Sequence, residues 1–212
     1  RDYSPAMNNG FIDLADGLID AARHQVGERA RHSYESYHAK GVTYLNLLRS
    51  PELTCKIYLF DGSHKPNADG LVVDPHSHAY PFHSTVLYGS MQNVTFTETD
   101  PLSVAESARP WHHFRVESGK AVAPSFRNTR AVKFLHANGR GSWLESGATY
   151  FLAPDEVHSI VVPTGEMTIL FLCQYARERT ATSLYRRTPD AVVTGEGLYQ
   201  RMTEKAYEEK LS

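Results

Sequence analysis

An antiparallel β-barrel or sandwich with helices outside it is the fold this sequence predicts, and three features carry that expectation. Between Leu53 and Cys173, short runs rich in Val, Ile, Thr, Tyr and Phe alternate with Gly and Pro punctuation. That spacing favours a barrel or sandwich over alternating βαβ units. Apolar residues at three- and four-residue spacing, the mark of an amphipathic helix, are confined to the N-terminal part. The chain has 212 residues, 41% of them hydrophobic and 22% charged, which suits one soluble domain with a full core.

Residues 1–10 are polar and read as a lead-in. Phe11, Ile12, Leu14, Ala15, Leu18, Ile19 and Ala22 predict a helix running to about Arg31. A second helix is expected over Tyr34 to Leu48, stopped by Ser50-Pro51. His24, His32 and His38 fall in this segment and read as surface or partly packed residues. From Thr54 to Phe60 the pattern becomes that of a strand, closed by Asp61-Gly62. Further strands are expected at Ser84–Tyr88, Met91–Thr99, Trp111–Val116, Ala131–His136, Thr149–Leu152, Val157–Val162 and Met167–Cys173. A loop is expected over 100–110, and Asn138-Gly139 reads as a turn. A last helix is expected from about Leu198 to Leu211. The chain thus divides into a helical extension (1–52), a β-barrel (53–175) and a tail with a helix (176–212), in one structural domain.

The formal net charge of −2 gives no footing for nucleic acid. No apolar run reaches the roughly 18 residues of a membrane span, and the first residues show no charged-then-apolar signal. Cys55 and Cys173 each lie in an apolar strand-like run. They read as core thiols of a reducing, cytoplasmic setting, with a disulfide between the two strands as the alternative. No CxxC pair is present, which argues against a structural zinc knuckle.

Chemistry concentrates in Asp74-Pro75-His76-Ser77-His78-Ala79-Tyr80-Pro81-Phe82-His83. In an extended chain His76 and His78 share a face, so two neutral imidazoles stand side by side as half of a metal site. Tyr80 follows the same alternation. These residues, with Gly70 before them and Gly89 after, resemble the first motif of the cupin family. Gly147, Pro154 and His158 resemble a loosened form of the second. The resemblance covers about residues 53–175 and implies a double-stranded β-helix (jelly-roll) barrel.

Carried over by position, the resemblance makes His76, His78 and His158 metal ligands. Counted forward from His78, His83 fills the position where the family has Glu. Counted back from Gly89, the position falls on Phe82, which binds no metal. The forward count is favoured, giving a four-histidine site, with three histidines as the alternative. Such a site holds one divalent transition metal per chain, Fe(II) before Zn, Ni, Mn or Cu. The favoured reading is a non-haem Fe(II) dioxygenase, an oxidoreductase binding a small organic substrate next to O2. The alternatives are a redox-neutral isomerase, lyase or hydrolase using Zn, Ni or Mn as a Lewis acid, and a non-catalytic ligand-binding barrel. Tyr80 and His136 are the candidate catalytic groups, the first as proton donor, the second as general base or second-layer partner. The resemblance also implies a homodimer formed through sheet edges.

Overall fold

The computed structural model describes residues 5–99, 109–117, 125–190 and 199–212, so most of the loop expected over 100–110 lies outside the described residues. In chain order the elements are α1 (Pro5–Arg23), α2 (Val26–Ala30), β1 (Tyr34–Glu35), β2 (Val42–Arg49), β3 (Leu53–Phe60), β4 (Phe82–Tyr88), β5 (Ser90–Thr99), β6 (Arg109–Glu117), β7 (Ser125–Arg140), β8 (Leu144–Glu145), β9 (Thr149–Leu152), β10 (Val157–Val161), β11 (Thr168–Tyr175), β12 (Ala181–Arg186), β13 (Gln200–Arg201) and α3 (Glu204–Leu211). They form two antiparallel sheets. One runs β13-β1-β2-β3-β11-β4-β9 and the other β10-β5-β7-β6-β12, with β8 paired to β5. The protein is mainly β, and its curled sheets are consistent with the cupin barrel that the motifs implied. No helix among the described residues is long and apolar enough to cross a membrane.

The first sheet is buried on both faces, and β3 shows why. Cys55 and Ile57 point to one side, where they pack with Leu45, Leu47, Phe171 and Cys173 under Ala15 and Ala22 of α1. The alternate residues Tyr58 and Phe60 point to the other side, against Val86, Leu170 and Ile160 inside the barrel. Each fully buried large apolar side chain contributes on the order of 1.5–3 kcal/mol, so the outer cluster is what holds the helices to the sheet. On that outer side Tyr207 of α3 is fully buried, and its hydroxyl donates to the Asn46 carbonyl at 2.7 Å. Cys55 and Cys173 stand opposite each other across β3 and β11 as free thiols, Sγ to Sγ 3.7 Å.

The second expected helix is a correction. Residues 34–49 supply β1 and β2, and β2 pairs with β3 from Val42 opposite Phe60 to Arg49 opposite Thr54. Positive φ at Ser36, His38 and Gly41 interrupts any helix there. The apolar spacing that mimicked a helix belongs to a strand buried on both faces, Val42 and Tyr44 inward, Leu45 and Leu47 toward the helices. The β core therefore begins before residue 53. It also ends after 175, because Ala181–Arg186 forms β12 along β6. Asn138-Gly139 is not a turn; β7 continues through it to Arg140.

One short segment closes the second sheet. Its edge strands, β10 and β12, are bridged by Pro75–Ser77. His76 exchanges backbone hydrogen bonds with His158 of β10, both 2.9 Å. On the other side, the Ser77 amide donates to Ser183 and the Tyr185 amide to Pro75. Inside the curl so formed, the Tyr185 hydroxyl of β12 reaches Glu98 of β5.

Candidate metal centre

The prolines at 75 and 81 explain why the histidine segment is only a bridge and not a full strand, since each lacks a ladder donor. The segment pairs at His76, and the regular strand β4 starts at Phe82. His158 comes from β10 across that bridge.

Three imidazoles converge there. The Nδ1–H of His76 donates to the Asp74 carbonyl at 2.9 Å, and the Nδ1–H of His158 donates to Asn93 Oδ1 at 2.8 Å. Each bond assigns the proton to Nδ1 and leaves Nε2 as a bare ligand atom. His78 Nε2 lies 3.0 Å from His158 Nε2, a separation that demands a proton or a cation between the two. One ligand atom from each of His76, His78 and His158 lies within 4.8 Å of the others. Metal–nitrogen bonds of ~2.0–2.1 Å place neighbouring ligand nitrogens roughly 3.0–3.4 Å apart, so the cluster fits a transition metal after a small closure. Burial lowers the pKa of His76, and it holds His78 and His158 well below the usual histidine range, helped by the charge of their neighbours. All three are therefore neutral near pH 7, as ligands must be. His158 is 4% exposed while His76 and His78 are half-buried, so the cluster is sealed behind and open in front.

The other expected site residues fall differently. Tyr80 is brought in, its ring 5.2 Å from that of His78. Burial raises its phenol far above the ordinary range, so it stays protonated. His83 is not brought to the cluster. It stands opposite Cys173 on the helix-covered face of β4, stacked 5.1 Å from Phe11 of α1 and sharing a hydrogen bond with the Tyr175 hydroxyl. Phe82 takes the inward place, 4.9 Å from the His78 ring and 5.8 Å from that of His158. The count back from Gly89 is the one the strand follows, and a one-residue shift turns the side chain over. His136, on β7, pairs with Thr97 of β5 and is not part of the three-histidine cluster. The nearby acids are engaged elsewhere. The Asp74 carboxylate pairs with Arg186, Asp155 with Arg179, and Glu156 accepts from the Ala153 amide.

Three neighbours were not anticipated. Asn93 orients His158. His38, read above as surface or partly packed, is exposed, with its ring 6.5 Å from that of His76 and a hydrogen bond shared with the Tyr199 hydroxyl. Its φ of 64° is rare for a residue with a side chain. Lys56 lies on the inner face of β3 beside Tyr80. Its place in an otherwise apolar strand was the one sequence signal available for any of them.

No protein-family model matches this chain, and no curated protein matches its sequence. Among solved structures, the chain is similar to hydroxypropylphosphonic acid epoxidase from S. wedmorenis, with TM-score 0.36 and 14% identity over 68% of this chain and 55% of that one. It is also similar to FeII HppE, with TM-score 0.35 and 15% identity over 64% and 52%. A third is KdgF from Halomonas sp., with TM-score 0.35 and 12% identity over 65% and 83%. The chain spans about half the length of the epoxidase and HppE chains it matches.

Proposed function

We propose that this chain is a metal-dependent enzyme of the cupin type, in which Nε2 of His76, His78 and His158 hold one divalent transition metal. The convergence of three neutral imidazoles, two of them with Nδ1 already committed to backbone or amide oxygen, carries that reading. Bound there, Fe(II) would offer open positions to a small organic substrate and O2 side by side, which is dioxygenase chemistry. The chain's own groups do the rest. Asn93 and the Asp74 carbonyl hold two rings in place. Phe82 closes the apolar wall behind the cluster. The protonated Tyr80 phenol stands beside His78 to donate a proton to an oxygen that gains charge. The same all-imidazole set favours a second reading. Neutral ligands leave the ion's full charge to polarise a substrate, as an isomerase, lyase or hydrolase using Zn, Ni or Mn requires.

Elemental analysis of protein purified without chelator tests this. Near-stoichiometric metal is expected in the wild type and in His83→Ala, with loss in His76→Ala and His158→Ala. Iron with substrate-dependent O2 uptake supports the dioxygenase. Zinc, nickel or manganese without O2 uptake supports the Lewis-acid reading. A wild-type protein that takes up no metal on reconstitution overturns both.

A further inference from the structure

Lys56 is a buried charge that the chemistry above leaves unused. Its strand neighbours Cys55 and Ile57 face the helices, so its own side chain enters the barrel, where it is 3% exposed. Nζ donates one hydrogen bond, to Gln174 Oε1 at 3.1 Å. It lies 5.3 Å, 5.6 Å and 5.4 Å from the ring centroids of Tyr44, Tyr58 and Tyr80. The lysine ion pairs among the described residues belong to Lys133 and Lys205, so no described carboxylate answers the Lys56 charge. An ammonium has three donors, and among the described residues only one of them here has a partner. The hydroxyls of Tyr58 and Tyr80 make no hydrogen bond to another described residue either.

A buried ammonium without a counter-charge either sheds its proton or acquires an anion. Aromatic faces attract it but do not neutralise it. Burial, with the charge of Arg49 adding to it, lowers its pKa to about 7. One ring connects this corner to the histidines: Tyr80 lies 5.4 Å from Lys56 Nζ and 5.2 Å from the His78 ring. Lys56 Nζ therefore lies no more than about 10.6 Å from the His78 ring, a span that a small organic acid and its contacts at either end can cover.

We propose that Lys56 seats the carboxylate of the substrate, with the hydroxyl of Tyr58 as a further donor, so that the compound handled at the histidines is a small organic acid. This rests on the metal reading only for what happens at the acid's other end. The carboxylate seat itself is a property of Lys56 and Tyr58 on β3, with or without metal.

Protein carrying lysine isotope-labelled at Cε, both metal-free and zinc-loaded, tests it by NMR. The probes are acetate, pyruvate and benzoate, with acetamide and benzamide as uncharged counterparts. The Lys56 resonance is identified by its loss in Lys56→Met. At least one carboxylate is expected to shift that resonance saturably in the metal-free protein, while its amide does not. Affinity should fall at least about tenfold in Lys56→Met, with zinc uptake equal to the wild type. Carboxylates that leave the resonance unmoved, or that bind Lys56→Met as tightly, overturn the proposal. Should Lys56→Met not fold, Lys56→Gln serves for the assignment, and the carboxylate–amide contrast on the wild type decides by itself. A protein that responds to benzoate yet takes up neither zinc nor iron nor any other of the metals named keeps the seat and ends the metal reading; one that binds metal and ignores every carboxylate does the opposite.

Discussion

Asn93 decides which nitrogen of His158 is free. Its side-chain oxygen accepts the Nδ1 proton, and the ring can then present only Nε2 to the cluster. Replacing it with alanine removes the acceptor without touching a ligand. Asn93→Ala is expected to weaken metal binding about 10- to 100-fold, read by competition with a chelating dye, with an unchanged circular dichroism spectrum. An affinity equal to the wild type would show that the His158 ring is held by packing against Phe82 instead. At this scale the sequence was partly legible. His76, His78 and His158 stood out by type and spacing. Asn93 did not, because an amide in an alternating strand is ordinary until the strand opposite it is known. Lys56 was readable in principle: a lysine between Cys55 and Ile57, in a run otherwise fit for burial, has to be buried or to end the strand.

The strand β4 shows where the sequence misled. Counting forward from His78 by the motif spacing gives His83 to the cluster, five positions on and therefore on the opposite face of an extended chain. The alternation in fact runs on through Pro81: His78, Tyr80 and Phe82 all face the cluster, which leaves His83 on the other side. Counting back from Gly89 stays inside β4 and gives the observed face. Gly89 itself fixes the turn into β5. Its φ is 74°, and a Cβ there would lie 2.5 Å from the Met167 carbonyl oxygen. Gly89→Ala is expected to destabilise the fold by more than about 1 kcal/mol, measured from the urea midpoint. No shift in that midpoint would mean that the β4–β5 turn can relax away from β11. The segment 34–48 misled for a related reason: a strand buried on both faces loses its period of two.

The whole molecule is assembled so that its second sheet has no seam of its own. Its two edge strands, β10 and β12, are joined among the described residues through the segment around Pro75–Ser77, which also carries His76 and leads into His78. The overall architecture was legible, because strand spacing and motif order do not depend on knowing the edges. This closure was not, because it is made by one residue pairing both ways. Its consequence concerns fluctuation. An ion shared by His76, His78 and His158 would rivet the stitch between β10 and β12, and local opening and ion release would become one event. Amide hydrogen exchange at His76, Ser77, His158 and Tyr185 should then slow on metal loading far more than exchange in the β3–β11 ladder. Equal slowing everywhere would mean that the ring stays closed without its rivet.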